Sequence, residues 1–128
     1  MNSKFKITLA VVAGAAFGAA AVQGLHAQAK PKAYILTESE VLDATALAEY
    51  GPKAQAVIRA SGGKPAISNA GKVIAVVGAA PKRFGVNEWE SLDKAQAYLA
   101  SAERKSLDAL RAKAIKIGRQ FIIEAPAN

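Results

Sequence analysis

The first 29 residues divide this chain into two parts of different character. Residues 1–6 (MNSKFK) form a short basic start, an almost uncharged apolar run extends from Ile7 to Leu25, and two small residues, Ala27 and Ala29, follow it. A positive start, an apolar middle and an Ala-x-Ala end are the three parts of a secretory signal peptide. We therefore predict that residues 1–29 are a signal peptide cleaved after Ala29, and that residues 30–128 form one folded domain.

An uncleaved membrane anchor is the alternative for the same segment. The apolar run of 19 residues is just long enough to cross a bilayer. It is rich in alanine, however, and contains three glycines, and Gln23 and His26 lie close to the predicted cleavage site. These features favour cleavage. The predicted localisation is periplasmic or secreted, with no stable membrane anchor left after cleavage.

Removal of the predicted signal peptide would exclude several kinds of catalytic and metal-binding site from the mature chain. Lys4 and Lys6 leave with it, so the net charge falls from +7 to +5, and His26, the single histidine, leaves as well. The chain has no cysteine. The mature protein therefore cannot form a disulfide, a Ser-His-Asp triad, a Cys-His pair or a histidine- or thiolate-bound metal site. We predict no metal and no cofactor. The scattered basic residues, without an aromatic-basic platform, predict no nucleic-acid partner.

The mature chain alternates between strand and helix signals in the order β-α-β-β-α-α-β, in which the middle β region can be divided into three extended pieces. Asp43 is the expected N-cap of a first helix, which should kink or restart near Pro52 and end at Gly62-Gly63. Ser91 should cap a second helix and Ser101 a third segment, whose apolar stripe extends to Ile117. Extended segments are predicted over residues 33–41, 64–68, 72–77, 83–89 and 120–125.

One open sheet with helices packed on one face would bury the apolar faces of these predicted helices and strands. The prediction is an α+β ferredoxin-like sandwich, an antiparallel sheet with helices on one face. Because 99 residues cannot cover the other face, we expect a homodimer.

Several stretches resemble a known family. They include KAYILTESEV, EYGPKAQAVIRASGGKPAIS, the double glycine Gly62-Gly63, the EWES segment that contains Trp89, and Arg111 in the last helix. The chain is similar, from Ala33 to Ala125, to domain of unknown function family 1330. The resemblance implies a ferredoxin-like protomer that pairs into a dimeric α/β barrel, and it implies no established activity.

The sequence departs from the family pattern at three places. Ser101-Ala102-Glu103-Arg104 stands where the family usually has Ser-Pro-Glu-Tyr, so an aromatic residue expected near the cleft is missing. Gly78-Ala79-Ala80 replaces polar and aromatic residues before the proline. Gly85 and Asn87 interrupt the usually apolar third strand.

Carboxylates on the first strand are weak candidates for catalysis. Glu38 and Glu40 are two residues apart, hence on one face of the strand, and Glu88 on the neighbouring strand could join them. Such a cluster, with Arg83 nearby, could supply a general base, because like charges raise a carboxyl pKa. Solvated strand ends explain the same residues more simply, so the catalytic residues stay unknown.

Aromatic and arginine side chains are the candidates for a ligand cleft: Tyr34, Trp89, Tyr98 and Arg111. The rings are amphipathic, and an arginine can bind a carboxylate or phosphate through two hydrogen bonds. We expect Trp89 to pack beneath the second helix, close to the rim of a cleft between the two subunits. Two functions remain: a homodimeric binding module for a small amphipathic ligand or a partner, or a cofactor-independent enzyme of the dimeric α/β-barrel monooxygenase or isomerase kind.

Overall fold

The computed structural model describes residues 30–126. The predicted signal peptide and its cleavage residues, Ala27 and Ala29, lie outside this range. The elements within it, in chain order, are β1 (Ala33–Val41), α1 (Ala44–Ala60), β2 (Lys64–Ile67), β3 (Arg83–Trp89), α2 (Leu92–Ala100), α3 (Ala102–Lys105), α4 (Asp108–Ala114) and β4 (Ile115–Glu124).

The four strands form one antiparallel sheet in the order β2-β3-β1-β4. The helices pack against one face of it, which confirms the predicted α+β class, and the strand order is compatible with a ferredoxin-like sandwich. In β1 the core residues Ala33 and Ile35 lie on the helix-covered face with Ser39, because alternate residues of a strand share a face. Ile35 and Ala33 meet Ile58, Trp89 and Tyr98 in the core.

All three predicted helix starts are confirmed by their caps, and at the third the Arg104 backbone N–H donates to Ser101 Oγ at 3.3 Å. The Ala46 backbone N–H donates to Asp43 Oδ1 at 2.9 Å, and the Lys94 backbone N–H donates to Ser91 Oγ at 3.3 Å. The helix restart predicted as one alternative near Pro52 was wrong, since α1 is one continuous helix that contains the proline, whereas the kink stays a prediction. Pro52 and Ala48 are both exposed, so water can bond the Ala48 carbonyl that lacks its N–H partner.

The structure corrects the prediction for residues 72–77, which form no strand and lie in an irregular segment. Ile74, Val76 and Val77 are 72%, 92% and 94% exposed. Their β-branched side chains are typical of a strand. A strand also needs a neighbour to pair with its backbone, and none of the described residues provides one here.

The helical segment that begins after Ser101 also ends earlier than predicted. It breaks after Lys105, resumes as α4 and stops at Ala114, and β4 begins at Ile115 rather than at Gln120. Ile117 therefore belongs to the sheet, where it lies opposite Ser39. The register shifts beside Gly118, which has no partner on β1 and forms a bulge.

No helix within residues 30–126 is long and apolar enough to span a bilayer.

Candidate functional site

A cleft of about 450 Å³ lies between α1 and the helix-covered face of the sheet. Its floor comes from β1 and β3, where Thr37 lies opposite Gly85 and Ile35 lies opposite Asn87. Tyr50 and other residues of α1 form the facing wall. Because directly opposed residues of antiparallel strands share a face, the strand pairing alone directs these floor residues towards α1.

Trp89 closes the apolar end of the cleft. Its side chain is 1% exposed, and its ring stacks on Tyr98 of α2 with centroids 4.9 Å apart and an interplanar angle of 27°. The indole Nε1–H donates to Ser61 Oγ at 3.0 Å, and that hydroxyl donates to the Ile58 carbonyl at 2.6 Å. The prediction that Trp89 packs beneath the second helix is confirmed, and its position at the rim of a cleft between subunits stays a prediction.

The two adjacent glycines after α1 have separate roles. Gly62 has φ of +89°, a left-handed conformation that ends the helix, as predicted. Gly63 has an ordinary backbone but no room for a side chain, since a Cβ there would lie 2.5 Å from Trp89 Cε2. The first glycine therefore turns the chain, and the second lets it lie against the indole ring.

Three guanidinium groups from three different elements line the other part of the cleft. Arg83 Nε donates to the Asn69 carbonyl at 3.3 Å, and Arg104 Nη2 donates to Gln120 Oε1 at 3.2 Å. Arg111 Nη2 donates to Asp108 Oδ1 at 2.7 Å. Each guanidinium has five N–H donors, so these contacts leave donors for a ligand.

Tyr98 links the two parts of the cleft. The Arg104 guanidinium carbon lies 5.7 Å from the centroid of its ring, close enough for a cation–π interaction. Burial raises the pKa of the Tyr98 phenol, and the nearby Arg104 charge opposes this shift less strongly. The phenol is therefore protonated at neutral pH.

Four of the residues singled out in the sequence share this cleft: Arg83, Trp89, Tyr98 and Arg111. Tyr34, Glu38 and Glu88 do not. Tyr34 and Glu38 alternate with Ile35 along β1 and lie on the uncovered face, and Glu88 joins them there because it pairs with Tyr34.

The proposed carboxylate cluster does not form. Glu88 lies opposite Tyr34, four residues along β1 from Glu38, a separation of about 13 Å. Arg119 donates to both oxygens of Glu38, at 2.8 and 2.7 Å, whereas Glu88 accepts from Lys32 at 3.0 Å. These contacts lower the pKa of both carboxyls, chiefly through the hydrogen bonds from Arg119 and Lys32 respectively.

An ionised, ion-paired carboxylate is a poor general base. Glu40 has its own partner, Lys82, at 3.1 Å. No group of three or more acidic, histidine or cysteine side chains within residues 30–126 is arranged to hold a metal ion.

Several lining residues were missed in the sequence. Gly85 and Asn87 do not interrupt β3; they alternate with Arg83 and Trp89 and so face the cleft. This spacing of two was visible in the sequence and could have identified them. Arg104 also lines the cleft. Gln55 and Gln120 gave no local signal because only the packing of distant elements places them there.

Gln55 differs from the other polar residues of the lining. Its side-chain Oε1 is buried without a hydrogen-bond partner among the described residues.

No curated protein matches this chain significantly. Among solved structures, it is similar to RPA0582 of Rhodopseudomonas palustris, a protein of unknown function, with 14% identity and a TM-score of 0.62 over 77% of this chain and 85% of that one. The methylated RPA0582 protein matches with 15% identity and a TM-score of 0.59, over 74% and 81% of the two chains. These likenesses establish the fold. Residues 32–126 match the model of the Domain of unknown function (DUF1330), and the chain belongs to that family.

Proposed function

We propose that this protein is an exported, homodimeric binding module whose cleft holds a small amphipathic ligand. The observation that carries the proposal is the two-part lining of the cleft. Leu47, Ile115 and Ile117 are half-buried and offer apolar surface, and Asn87, Arg83 and other polar groups offer hydrogen-bond donors in the same cleft. A pocket that combines apolar surface with a few convergent polar groups is the usual form of a small-molecule site, and a volume of about 450 Å³ is within the usual range.

The arrangement favours binding over acid–base catalysis. The residues that line the cleft include no aspartate or glutamate, and the mature chain has no histidine. Glu38 and Glu88, the carboxylates considered as general bases, lie on the opposite face of the sheet in ion pairs. The enzymatic alternative would therefore have to rely on a tyrosine or arginine as its proton-transfer group.

The uncovered face of the sheet supports the dimer. Its accessible apolar side chains come from three strands: Leu36 on β1, Phe84 on β3, and Phe121 and Ile123 on β4. Phe121 and Ile123 are 42% and 46% exposed, and the Glu38–Arg119 and Glu88–Lys32 ion pairs lie beside this patch. An apolar patch with a charged rim is typical of a protein interface, and a second copy is the simplest partner.

The irregular segment between β2 and β3 adds further apolar surface. Ile74, Val76 and Val77 all project into solvent in a single copy. Exposed apolar groups of this extent mark an association surface. We include this segment in the proposed dimer contact.

Ligand retention tests the binding function. The protein is purified from its own periplasm and examined by native mass spectrometry for retained small molecules. Gly51 lines the cleft from α1, and nothing lies within 4 Å of a Cβ placed there, so Gly51→Phe should fill the cleft without a clash at its Cβ. Ala48→Phe, at an exposed position of the same helix, is the matched control.

We expect the wild type and Ala48→Phe to carry the same added mass and Gly51→Phe to lose it. A wild-type protein with no added mass, or a Gly51→Phe variant that retains it fully, would contradict the proposal.

Light scattering of residues 30–128 at micromolar concentration tests the dimer. Phe121→Lys should convert the dimer to a monomer, and Ala112→Lys, at an exposed position of α4, should not. A monomeric mass for the wild type would overturn the association.

Export is tested by N-terminal sequencing. We expect Lys30 as the first residue of the mature protein, and Ala29→Phe should block cleavage because signal peptidase requires a small residue there. Retention of Met1 in most of the exported protein would favour an anchor instead.

A further inference from the structure

The charged groups around the cleft have one sign. Arg59, Arg83, Arg104 and Arg111 all contribute to its lining, and no acidic side chain does. Asp108 neutralises part of the Arg111 charge from outside the lining, and the other three arginines have no carboxylate partner among the described residues. The cleft is therefore electropositive even though the domain carries acidic residues elsewhere.

Three of the four acidic residues of the sheet are directed away from this cleft, and the fourth, Glu124 at the end of β4, does not line it. Glu38, Glu40 and Glu88 lie on the uncovered face, each paired with a basic residue of that face or its edge. The two sides of the sheet therefore differ in charge. On the uncovered side each of these glutamates is paired with a basic residue, whereas on the cleft side three arginines have no carboxylate partner among the described residues. An unmatched cation in a partly desolvated site is stabilised when an anion binds beside it.

We propose that the ligand of this cleft is a small organic carboxylate with an apolar body, a proposal that rests on the binding function above and names its ligand class. The guanidinium groups of Arg83, Arg104 and Arg111 would receive the carboxylate, because a planar guanidinium matches the two oxygens of a carboxylate with two parallel N–H donors. The apolar body would lie towards Trp89 and Tyr98, whose stacked rings form the other end of the cleft.

A phosphate is the less favoured anion. Phosphate sites commonly use backbone N–H groups at a helix N-terminus or a glycine-rich loop. The N-terminal residues of α1, α2 and α4 do not line this cleft. Here the available donors are side chains from β3, α3 and α4, which suit a singly charged carboxylate.

Matched pairs of probes test the ligand class. Phenylacetate and hexanoate are compared with phenylacetamide and hexanamide, which have nearly the same shape and no charge. Binding to residues 30–128 is measured by calorimetry and by the emission of Trp89, the single tryptophan, which borders the cleft. We expect each carboxylate to bind at least tenfold more tightly than its amide, and inorganic phosphate to bind more weakly than either carboxylate.

Arginine variants locate the anion. Arg83→Gln and Arg104→Gln should each weaken phenylacetate binding about tenfold and leave phenylacetamide unchanged. Arg119→Gln makes the same change in net charge on the uncovered face, where Arg119 is bonded to Glu38, and should leave both probes unchanged.

The possible failures are distinguishable. Amides that bind as tightly as the acids, with a change in Trp89 emission, would refute the carboxylate class and leave the cleft as a binding site. Tighter binding of phosphate than of phenylacetate, or equal weakening by Arg119→Gln, would also refute it. Absence of any probe binding, together with no retained mass in the purified protein, would refute the binding function itself.

Discussion

Gly63 is the position where a single methyl group should be most disruptive. In Gly63→Ala the new Cβ would lie 2.5 Å from Trp89 Cε2, 2.6 Å from Trp89 Cζ2 and 2.8 Å from Ile58 Cγ2. Carbon atoms in contact are normally about 3.5–4.0 Å apart. The indole or the chain after α1 must therefore move by roughly 1 Å.

The ring cannot move freely, because three contacts hold it. It stacks on Tyr98, it donates a hydrogen bond to Ser61, and it is 1% exposed within the core. Overpacking of a well-packed core costs about 1–3 kcal/mol, and we expect the upper half of that range here because both clashing neighbours are core residues. A domain of this size has a total stability of about 5–15 kcal/mol, so the variant should still fold.

Two variants separate the steric effect from the general effect of replacing glycine. Gly51 lies inside α1, and an added Cβ there meets nothing within 4 Å beyond its chain neighbours; because the following Pro52 offsets the gain in helix propensity, Gly51→Ala should change the stability by less than about 1 kcal/mol. In a Trp89→Phe background the ring is smaller and lacks the bond to Ser61. The penalty of Gly63→Ala should then fall by about 1 kcal/mol or more, as contacting residues are coupled.

The measurement is the free energy of unfolding from denaturant titration, with equal m-values required for the comparison. A Gly63→Ala variant as stable as the wild type would refute the reasoning. A Gly63→Ala penalty of unchanged size in the Trp89→Phe background would also refute it, because that result would show that the indole ring is not the group with which the new methyl clashes.

Three further predictions concern the same domain. Trp89→Ala should lower the free energy of unfolding by about 3–5 kcal/mol, and the native emission of Trp89 should be blue-shifted; water-exposed emission would contradict its burial. The pKa of Tyr98 is raised above its ordinary value of 10.0, so the stability should fall as the pH rises above about 10, and Tyr98→Phe should remove this component in a denaturant series at increasing pH. Ser91→Ala should cost about 1 kcal/mol by removing the cap of α2, measured by thermal unfolding, with Ser106→Ala as the control because Ser106 caps no helix start.

Local signals in the sequence located most of the fold. The caps Asp43 and Ser91, the helix stop at Gly62 and the strands over 33–41 and 83–89 are features of a few neighbouring residues, and the structure confirms each of them. Residues 72–77 and 115–119 were misassigned for a common reason. Their apolar, β-branched residues are compatible with more than one conformation, and only pairing with a distant strand decides which one forms.

The candidate site, like the fold, could be predicted from the sequence only in part. Trp89, Tyr98, Arg83 and Arg111 could be selected by residue type. The face of the sheet to which each strand residue points could not be selected with equal certainty, because a one-residue difference in register reverses it. The contact of Gly63 with the indole ring was invisible in the sequence, where the double glycine indicated a helix stop alone.

The sequence by itself determined the order of the elements, their caps and the chemistry excluded by the absence of cysteine and by a single histidine in the predicted leader. These properties depend on residue type and on interactions within one or two turns. The tertiary structure decided which polar residues meet. The antiparallel pairing of β1 with β3 and β4 places Glu38 and Glu88 on one side of the sheet. The packing of the helices on its other side gathers four arginines around a cleft whose lining has no carboxylate, because contacts between residues far apart in the chain depend on register and packing.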